Sequence, residues 1–316
     1  MISTYLPAVA RTMSTICALS IMVGCASVPP SLPPAALAQI ERTQTRAFIP
    51  QSEVTFQYMR SSYGAAFGLV GAVIDAGVTG VRAKSAKTKG KELREVVRDW
   101  DVRSAYWNSI SNTLVETPWL KVCDMEWLGT NVSKLRPAEV TNHSVMNIGT
   151  SYAISADVRV LQLTTGIDMY VPGKHKKPAA SVVMTSYSDE IGKEEGEKAL
   201  ALWTAEEGAA LRRALREGIA EHTRMLRLAL DLMGGSTNTT HRPAKILARL
   251  VHGRAELGTP TSRQPLWGAI VDESQSRVTF RTNKGLLFSF AKSEVEVDFS
   301  ESTAPKASSP KGASGR

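Results

Sequence analysis

The chain has 316 residues and a formal net charge of +8, from 38 Lys and Arg against 30 Asp and Glu. With 43% hydrophobic and 22% charged residues, its composition excludes a polytopic membrane protein and a wholly disordered chain. The three cysteines, Cys17, Cys25 and Cys123, are too few for a disulfide-stapled domain. The basic balance either attracts an anionic partner, such as lipid headgroups or an anionic polymer, or serves solubility alone.

The first 24 residues have the features of a secretory signal. They contain no acid and one base, Arg11, and small and apolar residues extend from Ser14 to Gly24. This run is too short to span a bilayer, which takes about 20 apolar residues, but it suits the apolar region of a signal peptide. We therefore expect residues 1–24 to be removed by cleavage after Gly24.

The sequence Met22-Val23-Gly24-Cys25 follows this run. It resembles the lipobox of bacterial lipoproteins, with Met in place of the usual Leu. The resemblance implies that Cys25 carries a thioether-linked diacylglycerol and an acylated amine, and two or three acyl chains anchor a protein stably. Ala26 stands where that family has Asp in inner-membrane members, which implies the periplasmic side of the outer membrane. The alternative is a stray cysteine behind an ordinary signal peptide.

Composition divides the rest of the chain. The proline-rich stretch "SVPPSLPPAALAQ" predicts that residues 25–62 form a lipidated, extended tether. Residues 300–316 are rich in Ser, Pro, Gly, Ala and Lys, and they predict a disordered tail because they have little apolar surface to bury.

A glycine-rich and basic segment occupies residues 63–90. Glycines spaced along one helical face allow close approach of two backbones, as in GxxxG packing. Asp75 interrupts the apolar run and makes a bilayer-spanning helix costly. The segment predicts membrane contact or self-association, and a plain packed segment is the alternative. The residues that carry this prediction are Gly64, Gly68, Gly71, Arg82, Lys84, Lys87 and Lys89.

Helix and strand patterns alternate over residues 91–235. Apolar spacing near 3.6 residues predicts helices over 91–115 and 194–233, and β-rich runs predict strands over 119–125, 151–161 and 179–189. We expect an α+β domain with a mixed sheet and flanking helices.

Residues 236–299 contain four short strand patterns separated by turn signals. Val278 and Phe280 alternate with polar residues, as do Phe288 and Phe290, which is typical of half-buried strands. This region predicts a small antiparallel β module, SH3-like in size.

The stretches "WLKVCDMEWL" and "IGTSYAISADVRVL" (148–161) resemble two strands of envelope lipoproteins related to the curli-secretion lipoprotein and the penicillin-binding-protein activators. The resemblance covers about 140 residues and rests on apolar patterns. It departs from the family at Cys123, Met125 and Ser151. It implies a fold and does not transfer a function.

The chain has no legible catalytic motif. HExxH, CxxC, GxSxG, Walker and GxGxxG patterns are absent from the sequence, so we predict no catalytic residues, metal site or cofactor. We expect His222 to be packed in the core and Cys123 to be an inert buried thiol. Export excludes nucleic acid as the partner of the basic charge.

These observations favour a non-enzymatic envelope lipoprotein, held in the membrane by its lipid anchor and acting as scaffold or accessory factor. Its partner would be an envelope protein or a second copy of the chain. A periplasmic hydrolase with an unrecognised active site is the alternative.

Overall fold

A computed structural model describes residues 30–49, 55–56, 91–129, 142–155, 157–173, 177–235, 242–248, 264–283 and 285–299. The signal peptide, Cys25, the segment 63–90 and the tail 300–316 lie outside these ranges. Among the described helices, none combines the length and apolar character that crossing a bilayer requires.

Three α-helices and eleven strands make up the described parts of the chain. The helices are α1 (Pro34–Ala38), α2 (Val102–Val115) and α3 (Glu197–Met233), and residues 91–96 form a further helical stretch. The strands are β1 (Thr43–Phe48), β2 (Thr55–Phe56), β3 (Val122–Trp127), β4 (Ser144–Ile154), β5 (Leu161–Tyr170), β6 (Ala180–Tyr187), β7 (Arg242–Ala248), β8 (Gln264–Glu273), β9 (Arg277–Thr282), β10 (Leu287–Ala291) and β11 (Val295–Asp298).

All these strands belong to one mixed sheet. Its order is β11-β7-β8-β9-β10-β6-β5-β4-β1-β3, with β2 paired to β4 beyond the end of β1. Strands β4, β5 and β6 form an antiparallel meander, whereas β1 runs parallel to both β3 and β4. The predicted α+β class with a mixed sheet and flanking helices is confirmed.

Helix α3 packs along the sheet through the face that its sequence predicted. The apolar residues at helical spacing are all buried: Leu211, Leu215, Ile219, Leu226 and Leu230. They join one hydrophobic core with α2 and with β1 and β4–β6. Helix α2 begins at the cap residue Asp101, whose carboxylate accepts the backbone N–H groups of Arg103 and Ser104.

The single uninterrupted helix predicted over 194–233 is wrong at residues 205–208. Glu206, Glu207 and Gly208 have φ of 49°, 54° and 76°, which L-residues adopt rarely, so the helix breaks and restarts. A Cβ at Gly208 would lie 2.7 Å from the Cβ of Val96, so only glycine allows this approach. The Arg212 guanidinium fastens the break by donating to the Asp99 carboxylate at 2.5 Å.

The expectation of an extended tether is wrong for residues 30–49. Leu32 and Ile40 are buried in the main core, and the Leu32 N–H donates to the carbonyl oxygen of Met233 at 2.9 Å. Strand β1 then runs between β3 and β4. Its alternation of Thr43 and Thr45 with Gln44 follows the strand period, but the neighbouring prolines dominated the sequence pattern.

The predicted antiparallel module is confirmed in strands β7–β11. They pair in the order β11-β7-β8-β9-β10, with a 3₁₀ turn before β11. Ile246, Phe280 and Phe290 belong to a hydrophobic cluster separate from the main core. The module is nevertheless continuous with the main sheet, because β10 pairs parallel with β6.

Gly268 tests how tightly β8 and β9 approach each other. A Cβ at this position would lie 2.0 Å from the carbonyl oxygen of Arg281 on the neighbouring strand. We expect Gly268→Ala to lower the free energy of unfolding by about 2 kcal/mol, because the added methyl group forces the backbones of β8 and β9 apart. Urea unfolding followed by circular dichroism measures the loss. The control Gly192→Ala meets a methyl group of Leu202 at 3.0 Å, which can rotate away, and equal losses in both variants would contradict the prediction.

Candidate functional site

Two clusters of polar side chains connect α3 to the sheet. The first, the His222 cluster, comprises Tyr106, Thr150, Thr165 and His222 in the main core. The second, the junction cluster, lies where α3 meets the C-terminal module. Its members are Glu221, Arg224, Asp272, Arg277, Thr279 and Ser289.

The hydrogen bonds of the His222 cluster meet at the Thr165 hydroxyl. The Thr165 hydroxyl lies 2.8 Å from the Tyr106 hydroxyl, 2.9 Å from that of Thr150 and 3.0 Å from Nδ1 of His222. Nε2 of His222 lies 3.1 Å from the carbonyl oxygen of Leu163. Because a carbonyl oxygen only accepts, Nε2 carries the proton and Nδ1 accepts from Thr165. The prediction that His222 is packed in the core is confirmed.

Burial sets the protonation states in this cluster. Desolvation lowers the pKa of His222 to about 4 and raises the pKa of Tyr106 to about 12. Both side chains are therefore neutral at pH 7. The cluster can hold α2, β5 and α3 in register, and its hydroxyl and imidazole groups are already paired with one another.

The junction cluster starts from one carboxylate on α3. Glu221 accepts from Nε of Arg224 at 3.0 Å and from its Nη2 at 2.6 Å, and Nε of Arg277 lies 3.7 Å away. Burial by itself would raise the pKa of Glu221, but hydrogen bonds from Arg224 and Ser289 and the charges of both arginines outweigh it, so the pKa lies below its usual value. The carboxylate is therefore ionised at neutral pH.

The two arginines connect Glu221 to the module. Arg224 forms an ion pair with Asp272 on β8 and a hydrogen bond to Thr279 on β9. Arg277 donates to the hydroxyl of Ser289 at 3.0 Å and to the carbonyl oxygen of Tyr187 at 2.6 Å. These contacts join helix α3, the end of β6 and the module, so the cluster acts as a clamp between them.

A shallow cleft borders the clamp, lined by Ser188, Glu217, Gly218 and Glu221 among others. The Ser188 hydroxyl donates to the carbonyl oxygen of Asp189 and accepts the N–H of Leu161, so backbone groups occupy it. Over the described ranges, there is no group of three or more His, Cys, Asp or Glu side chains placed to hold a metal ion.

The prediction of a buried thiol at Cys123 is wrong. Cys123 is exposed on β3, and its Sγ lies 3.5 Å from the carbonyl oxygen of Thr43. Strand β3 ends the strand order of the sheet, so its outward side chains meet solvent although its sequence is apolar enough for an inner strand.

The residues with predicted roles in anchoring and association are not placed by the structure. Gly24, Cys25 and the named positions of the 63–90 segment all lie outside the described residues. Sequence reasoning also missed the junction cluster, since its charged residues come from α3 and from the strands β8 and β9, and no local signal links the helix to those strands.

Comparison with known proteins finds no family, no curated protein and no solved structure that matches this chain. The resemblance to envelope lipoproteins therefore stays a prediction, and the α+β fold with its continuous sheet stands on the structure alone.

The buried His222 predicts a specific acid sensitivity. Its pKa is about 4 in the folded chain and about 6.5 when unfolded, so between these values the unfolded state binds more protons. Stability should therefore fall as pH decreases from about 6.5 towards 4, by about 1 kcal/mol per pH unit at the steepest. Urea unfolding at pH 7.5, 6 and 5 measures this slope. His222→Gln, which has no titrating ring, should show a flatter profile over that range, and parallel profiles would refute the assignment.

Removing the charge of Glu221 should loosen the clamp. Glu221→Gln leaves Arg224 and Arg277, both partly buried, without their shared counter-charge. We expect the free energy of unfolding to fall by about 2 kcal/mol, less than for a fully buried pair because Arg224 is partly solvated. Glu217→Gln, an exposed change one helical turn earlier, is the matched control and should alter stability little. Similar losses in both variants would show that the clamp contributes nothing specific.

Proposed function

We propose that the chain is a non-enzymatic lipoprotein of the bacterial envelope. It is anchored through Cys25 on the periplasmic side of the outer membrane, and it acts there as a scaffold or accessory factor. Its partner is an envelope protein or a second copy of the chain.

The observation that carries the proposal is the order of features at the N-terminus. A signal-like apolar run is followed at once by Met22-Val23-Gly24-Cys25, and a glycine directly before the cysteine suits cleavage and acylation at that residue. Dual or triple acylation with chains such as palmitate gives stable anchoring without a spanning helix.

The described body agrees with a scaffold role. Its two polar clusters connect α2, α3, the sheet and the module through hydrogen bonds and ion pairs. The exposed large apolar side chains include Trp267, Val297 and Phe299, all in the C-terminal module. Exposed aromatic groups of this kind suit a contact surface.

The glycine-rich and basic segment belongs to the same proposal. Gly64, Gly68 and Gly71 would allow close association, and the bases from Arg82 to Lys89 would attract anionic headgroups, each worth about 1 kcal/mol near the surface.

Cys25→Ser tests the anchor. We expect the share of the variant in the membrane pellet to fall sharply and its share in the soluble periplasmic fraction to rise, because the acyl chains supply most of the membrane affinity. Cys123→Ser removes a thiol of the same chain that is not acylated, and it should stay in the pellet. Fractionation with immunoblotting measures both, and mass spectrometry of the wild-type N-terminal peptide should show the acyl groups.

A Cys25→Ser protein that remains in the pellet with an uncleaved N-terminus would contradict the proposal. That result would indicate an ordinary signal anchor instead.

A further inference from the structure

We propose that the folded body lies directly against the bilayer, with the β9–β10 turn and Trp267 as its lipid-facing surface. This inference rests on the proposed acylation of Cys25 and adds an orientation and a second contact with lipid. This surface, called the Trp267 surface, comprises Lys245, Pro265, Trp267 and Asn283.

Only a short length of chain separates the proposed anchor at Cys25 from the folded body. Pro30 is only five residues after Cys25, and five residues span about 17 Å when fully extended. Pro30 already touches the module, since its Cβ lies 3.0 Å from where a Cβ of Gly285 would be. Leu32, two residues later, is bonded to Met233 and buried in the main core. The acyl chains therefore hold this side of the body close to the headgroups.

The β9–β10 turn and Trp267 lie at the place where Pro30 contacts the module. Gly285 lies in the turn between β9 and β10, and its N–H donates to the carbonyl oxygen of Thr282 at 2.9 Å. The N–H of Asn283 in the same turn donates to the carbonyl oxygen of Trp267 at 3.1 Å. Trp267 is thus one backbone hydrogen bond away from the turn that Pro30 contacts.

The side chains of the Trp267 surface suit the interface of a bilayer. The Trp267 side chain is 50% exposed in the middle of a strand, and Nζ of Lys245 on the neighbouring strand lies 5.8 Å from its ring centroid. Tryptophan concentrates at bilayer interfaces because its ring is apolar and its N–H is polar. Lysine covers apolar surface with its stem and presents its ammonium group to headgroup phosphates.

The nearby acids limit the electrostatic part of this contact. Asp298 on β11 is in register with Lys245, and Glu296 precedes Asp298 by two residues on the same strand. Their charges offset the lysine, so burial of the indole ring, rather than attraction of charge, dominates at this surface. Binding through Trp267 should therefore change little with salt, unlike binding through the basic run from Arg82 to Lys89.

The orientation is tested on the full-length acylated protein in vesicles of phosphatidylethanolamine and phosphatidylglycerol. In a Cys123→Ser background, a nitroxide is attached at Asn283→Cys or, as control, at Leu202→Cys. Asn283 is exposed in the turn, whereas Leu202 is exposed near the start of α3, at the opposite end from Met233. We expect oxygen to relax the Asn283 label more effectively than a water-soluble nickel complex, and the reverse for the Leu202 label.

Two results separate this inference from the proposed function. If mass spectrometry finds Cys25 acylated and both labels have aqueous accessibility, the orientation is wrong and the anchor stands. If Cys25 carries no acyl group, the proposed function fails and the orientation, which depends on the short connection, fails with it.

The role of Trp267 is tested without the anchor. The mature chain with Cys25→Ser is floated with the same vesicles at low and high salt, alongside Trp267→Ala and the matched control Leu202→Ala. We expect Trp267→Ala to reduce the bound fraction at high salt at least threefold and Leu202→Ala to leave it unchanged. Equal binding of the three proteins, or none by any, overturns the lipid contact and assigns the exposed indole to a protein or glycan partner instead.

Discussion

The pairing of β10 with β6 determines how the rest of the molecule is arranged. Leu287, Phe288 and Ser289 pair in parallel with residues 184–186, and this short ladder joins the module to the main sheet. The ladder makes the module continuous with the main sheet, although the module has a hydrophobic cluster of its own. With it, the end of β6 places Tyr187 on Phe290 at a ring distance of 5.2 Å, and the clamp at Glu221 gains partners from both sides.

The charged groups of the interior serve this arrangement. Arg277 uses its donors on the Ser289 side chain and on two backbone carbonyls, and the pKa of Glu221 is held below its usual value by its partners. Burial keeps His222 neutral, and both of its ring nitrogens form hydrogen bonds. Groups committed in this way stabilise a rigid body. Under the proposed scaffold role, function depends on what the body displays and on where it is held.

The N-terminal segment links these two questions. Because Leu32 and Ile40 are core residues and β1 lies between β3 and β4, residues 30–49 are part of the fold rather than a spacer. A scaffold on a long tether reaches partners at a distance from the membrane, whereas a body attached within a few residues has a fixed face towards it. If Cys25 is acylated as proposed, the contact between Pro30 and Gly285 makes the module that face.

Local sequence determined the elements whose pattern is complete within one segment. The 3.6-residue apolar spacing of α3 and the antiparallel strands from β8 to β10 can both be read along the chain, and the motif that predicts an anchor at Cys25 is equally local. Tertiary structure alone decided the place of β1 between β3 and β4, the break at Gly208 against Val96, the exposure of Cys123 and the assembly of the Glu221 clamp. Each of these depends on a neighbour distant in sequence: a strand is inner or edge according to its partners, and an ion pair forms only after the sheet has brought its members together. Periodicity along the chain carries no information about such neighbours, because it reports which face a residue occupies and not what that face meets.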